Sequence, residues 1–264
     1  MTTTTFIGAG NIAKAILGGY LAANPEATIY ATDTQESQLA SLPKEVHRGT
    51  DNLSAVKQAG VILLCVKPNV MGDICRELAP VAEDKLFISV AAGITSSHLR
   101  GWLGAGPAIV RCMPNTPALV SEGMTGLFAG PDVSDTQRKN AENLLQSVGQ
   151  VSWFETESQL DTVTAVSGSG PAYFFLMLES MEKAAVEMGL SPESAQQLCQ
   201  QTALGAAKMA IDSGLDAATL RKNVTSPGGT TAAALSVFED QGFENIVKNA
   251  LKAAESRSIE LSDE

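Results

Sequence analysis

Two short stretches have residue types and spacings that could do chemistry. The first is Phe6-Ile-Gly-Ala-Gly-Asn-Ile-Ala13, a G-x-G-x-x-A turn with Gly8, Gly10 and Ala13 in the small-residue positions. Gly8 lets the chain turn sharply out of a strand. Gly10 removes the Cβ that would block a pyrophosphate, and Ala13 keeps the following helix close to the sheet. The helix N-terminus then offers free N–H groups and a positive dipole. Its context supports a dinucleotide site. A β-prone run precedes it, Ile12, Ile16 and Tyr20 follow at helical spacing, and Asp33 ends the β-prone run Ala27–Thr32, where a ribose-binding acid is expected. An ordinary glycine turn that binds nothing is the alternative, and strand, helix and acid in register argue against it.

The second stretch is Val224-Thr-Ser-Pro-Gly-Gly-Thr-Thr231, which has hydroxyls and backbone donors but no His, Asp, Glu or Cys. Consecutive flexible residues ahead of a helix can point several N–H groups at one carboxylate. The same residues also make a plain helix-breaking loop, with Pro and Gly there for turn geometry. What is missing restricts the chemistry. Oxidising an alcohol with a nicotinamide needs a base for the O–H proton, usually His or Lys. A protonated imine already carries its proton and is electrophilic, so a carboxylate nest, a hydroxyl and correct positioning suffice to reduce it.

These stretches sit in different contexts. Through residue 154, strand-like runs alternate with helical ones. Val61–Val66 and Leu86–Val90 are continuous apolar runs, as expected of parallel strands buried on both faces, and Ala108–Met113, Gly123–Ala129 and Val151–Phe154 are further strands. A cap at Asp51 or Asn52 opens a helix. Another helix after Pro68 puts Val70, Ile74 and Leu78 on one face, and a third runs from near Ser134 to Val148. This alternation predicts an α/β fold with an N-terminal doubly wound parallel sheet of Rossmann type, ligands sitting at the carboxyl ends of its strands. Val66-Lys67-Pro68, Ala91-Ala92-Gly93 and Arg111–Ala118 interrupt the pattern at such ends.

From about Leu160 the strand pattern disappears. Ser167-Gly-Ser-Gly170 leads into a helix from Pro171 to Met188, Ser191-Pro192 caps the next, which runs to Gly214, and Ala217–Asn223 is a shorter one. Further helices start near Thr230 and Phe243. The expected organisation is residues 1–157 as an NAD(P)-binding domain and 158–264 as an all-α helical bundle for dimerisation and substrate binding. A bundle this small is rich in apolar residues for its size, so a core shared with a second copy is expected. Met177, Met181 and Met188, at helical spacing, are expected to be core packing.

The 264-residue chain is 44% hydrophobic and 18% charged, which is a globular composition. Its formal charge of −11 repels a phosphate backbone or an anionic membrane, so neither nucleic acid nor membrane is an expected partner. Cys65, Cys75, Cys112 and Cys199 form no C-x-x-C pair, and His47 and His98 have no cysteine partners at ligand spacing. Free thiols, no metal site, no signal peptide and a cytoplasmic location are therefore expected.

Together the segments resemble pyrroline-5-carboxylate reductase, the last enzyme of proline biosynthesis, over nearly the whole chain. Val224–Thr231 resembles the family signature. Arg111–Ala118 and Val166–Tyr173 are similar to family blocks that occur in the same order. The resemblance implies hydride transfer from NADPH or NADH to carbon 5 of the pyrroline ring, giving L-proline. It implies that Gly8, Ala9, Gly10, Asn11 and Ile12 hold the pyrophosphate. Asn52, Val66, Lys67 and Pro68 would line the adenosine and nicotinamide-ribose path, with Val90, Ala91 and Ala92 along the next stretch and Asn223 approaching from the bundle. Ser226, Gly228, Gly229, Thr230 and Thr231 would hold the substrate, the Thr231 hydroxyl near the ring nitrogen as the catalytic contact. It also implies a homo-oligomer, a dimer interlocked through the helical domain and in some members a decamer. Asp33-Thr34 departs from members preferring NADPH, which have Asn-Arg or small hydroxyl residues there. Asp33 should bond the ribose hydroxyls of NADH and repel a 2′-phosphate.

Two other readings compete. A 3-hydroxyacid dehydrogenase of similar architecture carries a lysine one helical turn into its bundle, where Gly168 and Gly170 align Phe174 instead. A non-catalytic NAD(P)-binding sensor would keep the fold without turnover, and an intact Ser226–Thr231 loop argues against it.

Overall fold

In the central strands Val61–Leu64, Leu86–Ser89 and Ala108–Met113 every residue is buried, which is why they read as largely apolar runs. The computed structural model describes residues 2–263. In chain order these form β1 (Thr4–Ile7), α1 (Asn11–Ala23), β2 (Ile29–Thr32), α2 (Glu36–Ala40), β3 (His47–Gly49), α3 (Asn52–Lys57), β4 (Val61–Leu64), α4 (Pro68–Leu78), β5 (Leu86–Ser89), α5 (Ser96–Leu103), β6 (Ala108–Met113), β7 (Gly123–Ala129), α6 (Asp135–Gln146) and β8 (Gly149–Phe154). They make one eight-stranded sheet of order β3-β2-β1-β4-β5-β6-β7-β8. The strand order reverses beside β1, so a crevice opens at the carboxyl ends of β1 and β4.

Alternate residues of each strand serve two cores. Phe6, Leu63, Ile88 and Val110 pack against Ile16 and Leu17 of α1 and Leu144 and Leu145 of α6. Ile7, Ile62, Phe87 and Ile109 pack against Met71, Cys75 and Leu78 of α4 and Leu99 of α5. The expected caps form: the Asp51 carboxylate accepts from Ser54 N–H, and the Ser134 hydroxyl accepts from Gln137 N–H.

Three features differ from the sequence reading. β7 runs antiparallel to β6 within an otherwise parallel sheet, because residues 114–122 are too few for a crossover and instead turn through Thr116–Val120. α5 has no counterpart in the reading, since Gly101 and its polar residues conceal it. A capping box between Thr95 and His98 starts it. On α4 the buried face is Met71, Cys75 and Leu78, whereas Val70 is 40% exposed. The sequence puts Val70, Ile74 and Leu78 on one face; Leu78 is buried in the core, Ile74 packs against it while also lining the crevice, and Val70 lines the crevice.

The chain continues through α7 (Gln159–Val163), a π-turn (Thr164–Gly168), α8 (Gly170–Glu187), α9 (Pro192–Asp212), α10 (Ala217–Asn223), α11 (Thr230–Asp240) and α12 (Phe243–Asp263). Ser167–Gly170 is thus a helical passage, not a break. The compact units are Met1–Pro171 with Ala253–Glu264, and Ala172–Lys252. This division differs from one at 157/158 because Leu160 and Val163 of α7 pack with Met113 on the sheet. In the helical unit, Phe174 is 72% and Met188 87% exposed, with Met177 and Met181 also on the surface. These methionines were expected in the core, and a single copy of the chain does not bury them.

Arg111 is buried in β6 and pairs with Glu157 at 2.8 Å, while Ser96 N–H and Oγ–H each donate to the same carboxylate at 2.6 Å. One ion pair thus ties β6 to the start of α5 and to the chain beyond β8. Burial alone would raise the Glu157 pKa, but the Ser96 donors and the Arg111 guanidinium outweigh it and hold the carboxyl below its usual range. Removing one partner strands a buried charge, so Glu157→Ala is expected to cost about 3–5 kcal/mol of unfolding free energy in a urea titration. The native state binds this proton less readily than the unfolded chain. The contribution is therefore complete above about pH 4.3 and lost as pH falls through the lower folded value. Glu157→Gln should flatten the acid limb of the stability curve.

Candidate functional site

Gly8 has φ +93°, and a Cβ there would lie 2.7 Å from the Cys65 carbonyl oxygen at the end of β4. Only glycine permits both the left-handed turn and this approach of two backbones. The approach forms one wall of a crevice of about 600 Å³ at the carboxyl ends of β1 and β4. At the other wall Gly10 is the N-cap of α1 with no side chain capping it, and a Cβ at Gly10 would meet nothing within 4 Å. The first N–H groups of α1 thus face open space, where an anion can accept from them.

Of the residues expected to bind cofactor, Gly8, Gly10, Asp33, Asn52, Val66 and Lys67 line this crevice. Pro68 is the first residue of α4 beside it. Ala9 is buried, Asn11 is exposed at the start of α1, and Ile12 packs against the core. Val90, Ala91 and Ala92 follow β5 and are not among the lining residues: Val90 and Ala91 pack on the two cores and Ala92 on the Met113 cluster. The crevice also gathers Thr32, Thr34, Gln35, Gln38, Thr50, Cys65, Asn69, Val70 and Ile74, which the sequence reading did not select. Spacing from Asp33 could have suggested Thr34 and Gln35. Val70 and Ile74 could not be found this way, because Met71, Cys75 and Leu78 offer an equally good helical face.

The Asp33 carboxylate works inside the protein. One oxygen accepts from Ala9 N–H and the other from Gln35 N–H, both at 2.8 Å. It therefore clasps the glycine turn to the turn after β2, with lone pairs left over for a ribose diol. Asn52 is similarly engaged, accepting from Thr32 Oγ1 at 2.6 Å. Lys14 of α1 donates to Gln38 at 2.5 Å, so a cation stands behind the crevice lining although no arginine neighbours Asp33 in sequence. Cys65 is no candidate base, since burial pushes its thiol pKa far up.

In the helical unit, Asn223 ends α10 and the loop to α11 begins with Thr225 Oγ1 donating to the Arg221 carbonyl at 2.6 Å. Gly228 has φ +68°, and Gly229 N–H donates to the Ser226 carbonyl, closing a tight turn. Gly229 is then the N-cap of α11 with no side-chain cap, and the first helical bond there runs from Ala233 N–H to Gly229. The N–H groups of Thr230, Thr231 and Ala232 therefore precede that bond, as an anion site requires. Gly229 supplies its own N–H to the turn, so the donors of the nest come from the helix start. Ser226 and Gly228 are exposed, and Thr231 is half-buried.

Residues 157–261 match the family described as pyrroline-5-carboxylate reductase dimerisation, and residues 3–93 match NADP oxidoreductase coenzyme F420-dependent. The pyrroline-5-carboxylate reductase of Pseudomonas aeruginosa is 48% identical over 98% of this chain and 96% of its own. The solved pyrroline-5-carboxylate reductase of Coxiella burnetii is 40% identical with TM-score 0.94, covering 99% of this chain and 98% of its own. That of Plasmodium falciparum, solved with NADP bound, is 30% identical with TM-score 0.89 at the same coverage.

Asp33→Asn leaves one acceptor where two N–H groups each need one. It should therefore loosen the glycine turn and weaken NADH binding by about threefold to tenfold, while for NADPH loss of the charge that opposes a 2′-phosphate offsets this and leaves binding little changed. Fluorescence titration with each coenzyme tests this. Unchanged NADH binding would mean that the two hydrogen bonds of Asp33 do not hold the turn.

Proposed function

Because this chain belongs to the pyrroline-5-carboxylate reductase family, we propose a division of labour among its residues for that family's reaction. The reaction is reduction of 1-pyrroline-5-carboxylate to L-proline by hydride transfer from NAD(P)H, the final step of proline biosynthesis. Gly8, Ala9, Gly10, Asn11 and Ile12 hold the pyrophosphate. Asp33, Asn52 and Val66–Pro68 line the rest of the cofactor path, with Val90–Ala92 and Asn223 completing it. Ser226, Gly228, Gly229, Thr230 and Thr231 hold the substrate. On this reading residues 1–157 serve the cofactor and 158–264 serve dimerisation and substrate.

The observation that carries the substrate assignment is the start of α11, a helix N-terminus without a capping side chain, set behind the Ser226–Gly229 turn. Its donors suit the ring carboxylate. The segment contains no acid or base, and protonated imine reduction needs none. The hydride bonds to carbon 5, the C=N π pair moves onto nitrogen, and the nitrogen keeps the proton it brought. Thr231 Oγ orients the ring nitrogen, and the rate gain comes from alignment of carbon 5 with the nicotinamide. Nothing favours the hydroxyacid reading, since Phe174 stands where its lysine would be and is 72% exposed.

The chain works as a homo-oligomer, a dimer with stacking of dimers into a decamer as the larger form. The exposed Phe174, Phe175, Leu176 and Met188 support a covered helical face. We place the enzyme in the cytoplasm, supported by four cysteines that are all free thiols among the described residues. No helix among the described residues is long and apolar enough to cross a membrane.

Thr231→Ala is expected to lower kcat about tenfold to a hundredfold while NAD(P)H affinity changes less than about twofold. Steady-state kinetics with pyrroline-5-carboxylate, alongside a hydroxyacid control, measure this, and an unchanged kcat would remove Thr231 from the mechanism. The Asp33 charge should disfavour a 2′-phosphate by about 1–2 kcal/mol, giving roughly tenfold higher kcat/KM with NADH than with NADPH. A clear preference for NADPH would refute that role.

A further inference from the structure

The last turns of α12 return to the sheet and end against the loop that leaves β5. Ser258 is 4% exposed, and its Oγ–H donates to Asp161 of α7 at 2.7 Å. One helical turn earlier, Glu255 accepts from the Thr162 hydroxyl. One turn later, the Leu261 carbonyl oxygen lies 2.6 Å from where a Cβ on Gly93 would stand, and Leu261 Cβ lies 3.0 Å from the same point. Gly93 has φ +75° and directly follows Val90–Ala92.

We propose that the C-terminal turns of α12 act as a buttress that sets the loop Val90–Gly93 and, through it, the affinity for the nicotinamide cofactor. This rests on the assignment of Val90–Ala92 to the cofactor path. The contact at Gly93 is backbone against backbone, with no side chain that could turn aside to absorb a displacement. α12 is held at that height by two polar links to α7, at Glu255 and Ser258. The loop's other ties leave out Gly93: Val90 N–H donates to the Leu64 carbonyl and Ala91 N–H to Ser89 Oγ, both at 3.3 Å, Ala91 and Ala92 pack on neighbouring apolar clusters, and Ser96 is fixed by Glu157. Between them, Gly93 meets Leu261. Loosening α12 therefore frees the middle of the loop, and a cofactor-positioning segment that drifts weakens binding without altering the chemistry.

Ser258 and Asp161 are positioning residues on this account, and neither lines the crevice. Ser258→Ala and Asp161→Ala should each raise KM for NAD(P)H about threefold to tenfold, with kcat at saturating cofactor and KM for pyrroline-5-carboxylate unchanged. Asp161→Asn keeps an acceptor for the Ser258 hydroxyl and should behave like the unmodified chain. Ala92→Leu, inside the loop, serves as the control on the cofactor assignment and should raise the same KM. A responsive Ala92→Leu beside two alanine variants with normal cofactor KM would overturn the buttress alone. A silent Ala92→Leu would overturn the cofactor assignment and the buttress with it. Equal losses in all kinetic constants for Asp161→Asn and Asp161→Ala would reduce the link to ordinary stability.

Discussion

The carbonyl of Cys65 lies closer to Gly8 than any side chain on residue 8 would allow. The strand order turns back on itself beside the ends of β1 and β4, and the crevice opens there. The helix behind the turn begins at Gly10, whose missing side chain leaves space in front of α1. Asp33 then secures the arrangement by accepting one N–H from each of the two turns it joins. A preformed anion site is the result, with its donors fixed before any ligand arrives.

The two halves of the chemistry are built on the same physical device. In the sheet unit, α1 presents its uncapped start at the end of a strand. In the helical unit, α11 does so after a tight turn. Each suits an anion, and we propose a pyrophosphate for the first and a carboxylate for the second. The Val224–Thr231 loop contains no acid or base side chain, and Cys65, which lines the crevice, is held neutral by burial. An enzyme of this kind selects an electrophile that arrives already activated. Reduction of an iminium meets that condition, whereas alcohol oxidation does not.

Much of the fold was legible because burial leaves a simple trace. β4, β5 and β6 are buried on both faces and mostly apolar, and Asp51, Ser134 and Ser191 cap their helices through hydrogen bonds that depend only on near neighbours. The glycine turn and the Val224–Thr231 loop were readable for a similar reason, since their backbone demands are local. Less was legible wherever two arrangements share one pattern. A strand such as β7 has the same composition whichever way it runs. α4 offers Val70-Ile74-Leu78 and Met71-Cys75-Leu78 as rival faces, and only packing against Ile62 and Phe87 selects the second. α8 reads as apolar, but which of its faces a neighbour covers is not written in its pattern, and the single chain leaves Phe174 and Phe175 in solvent.

By itself the sequence determined the alternation of strand and helix, the place of the glycine turn and the absence of an acid or base in the Val224–Thr231 loop. These follow from side-chain type and spacing within a few residues. Tertiary structure decided what depends on distant partners. It turned β7 against β6, set Val70 of α4 at the crevice, gave Asp33 two backbone donors, paired Arg111 with Glu157 and brought Leu261 against Gly93. The reason is the range of the forces involved. Backbone conformation and capping are settled between neighbours, but which faces meet is settled only when the whole core closes and each buried polar group must find its partner.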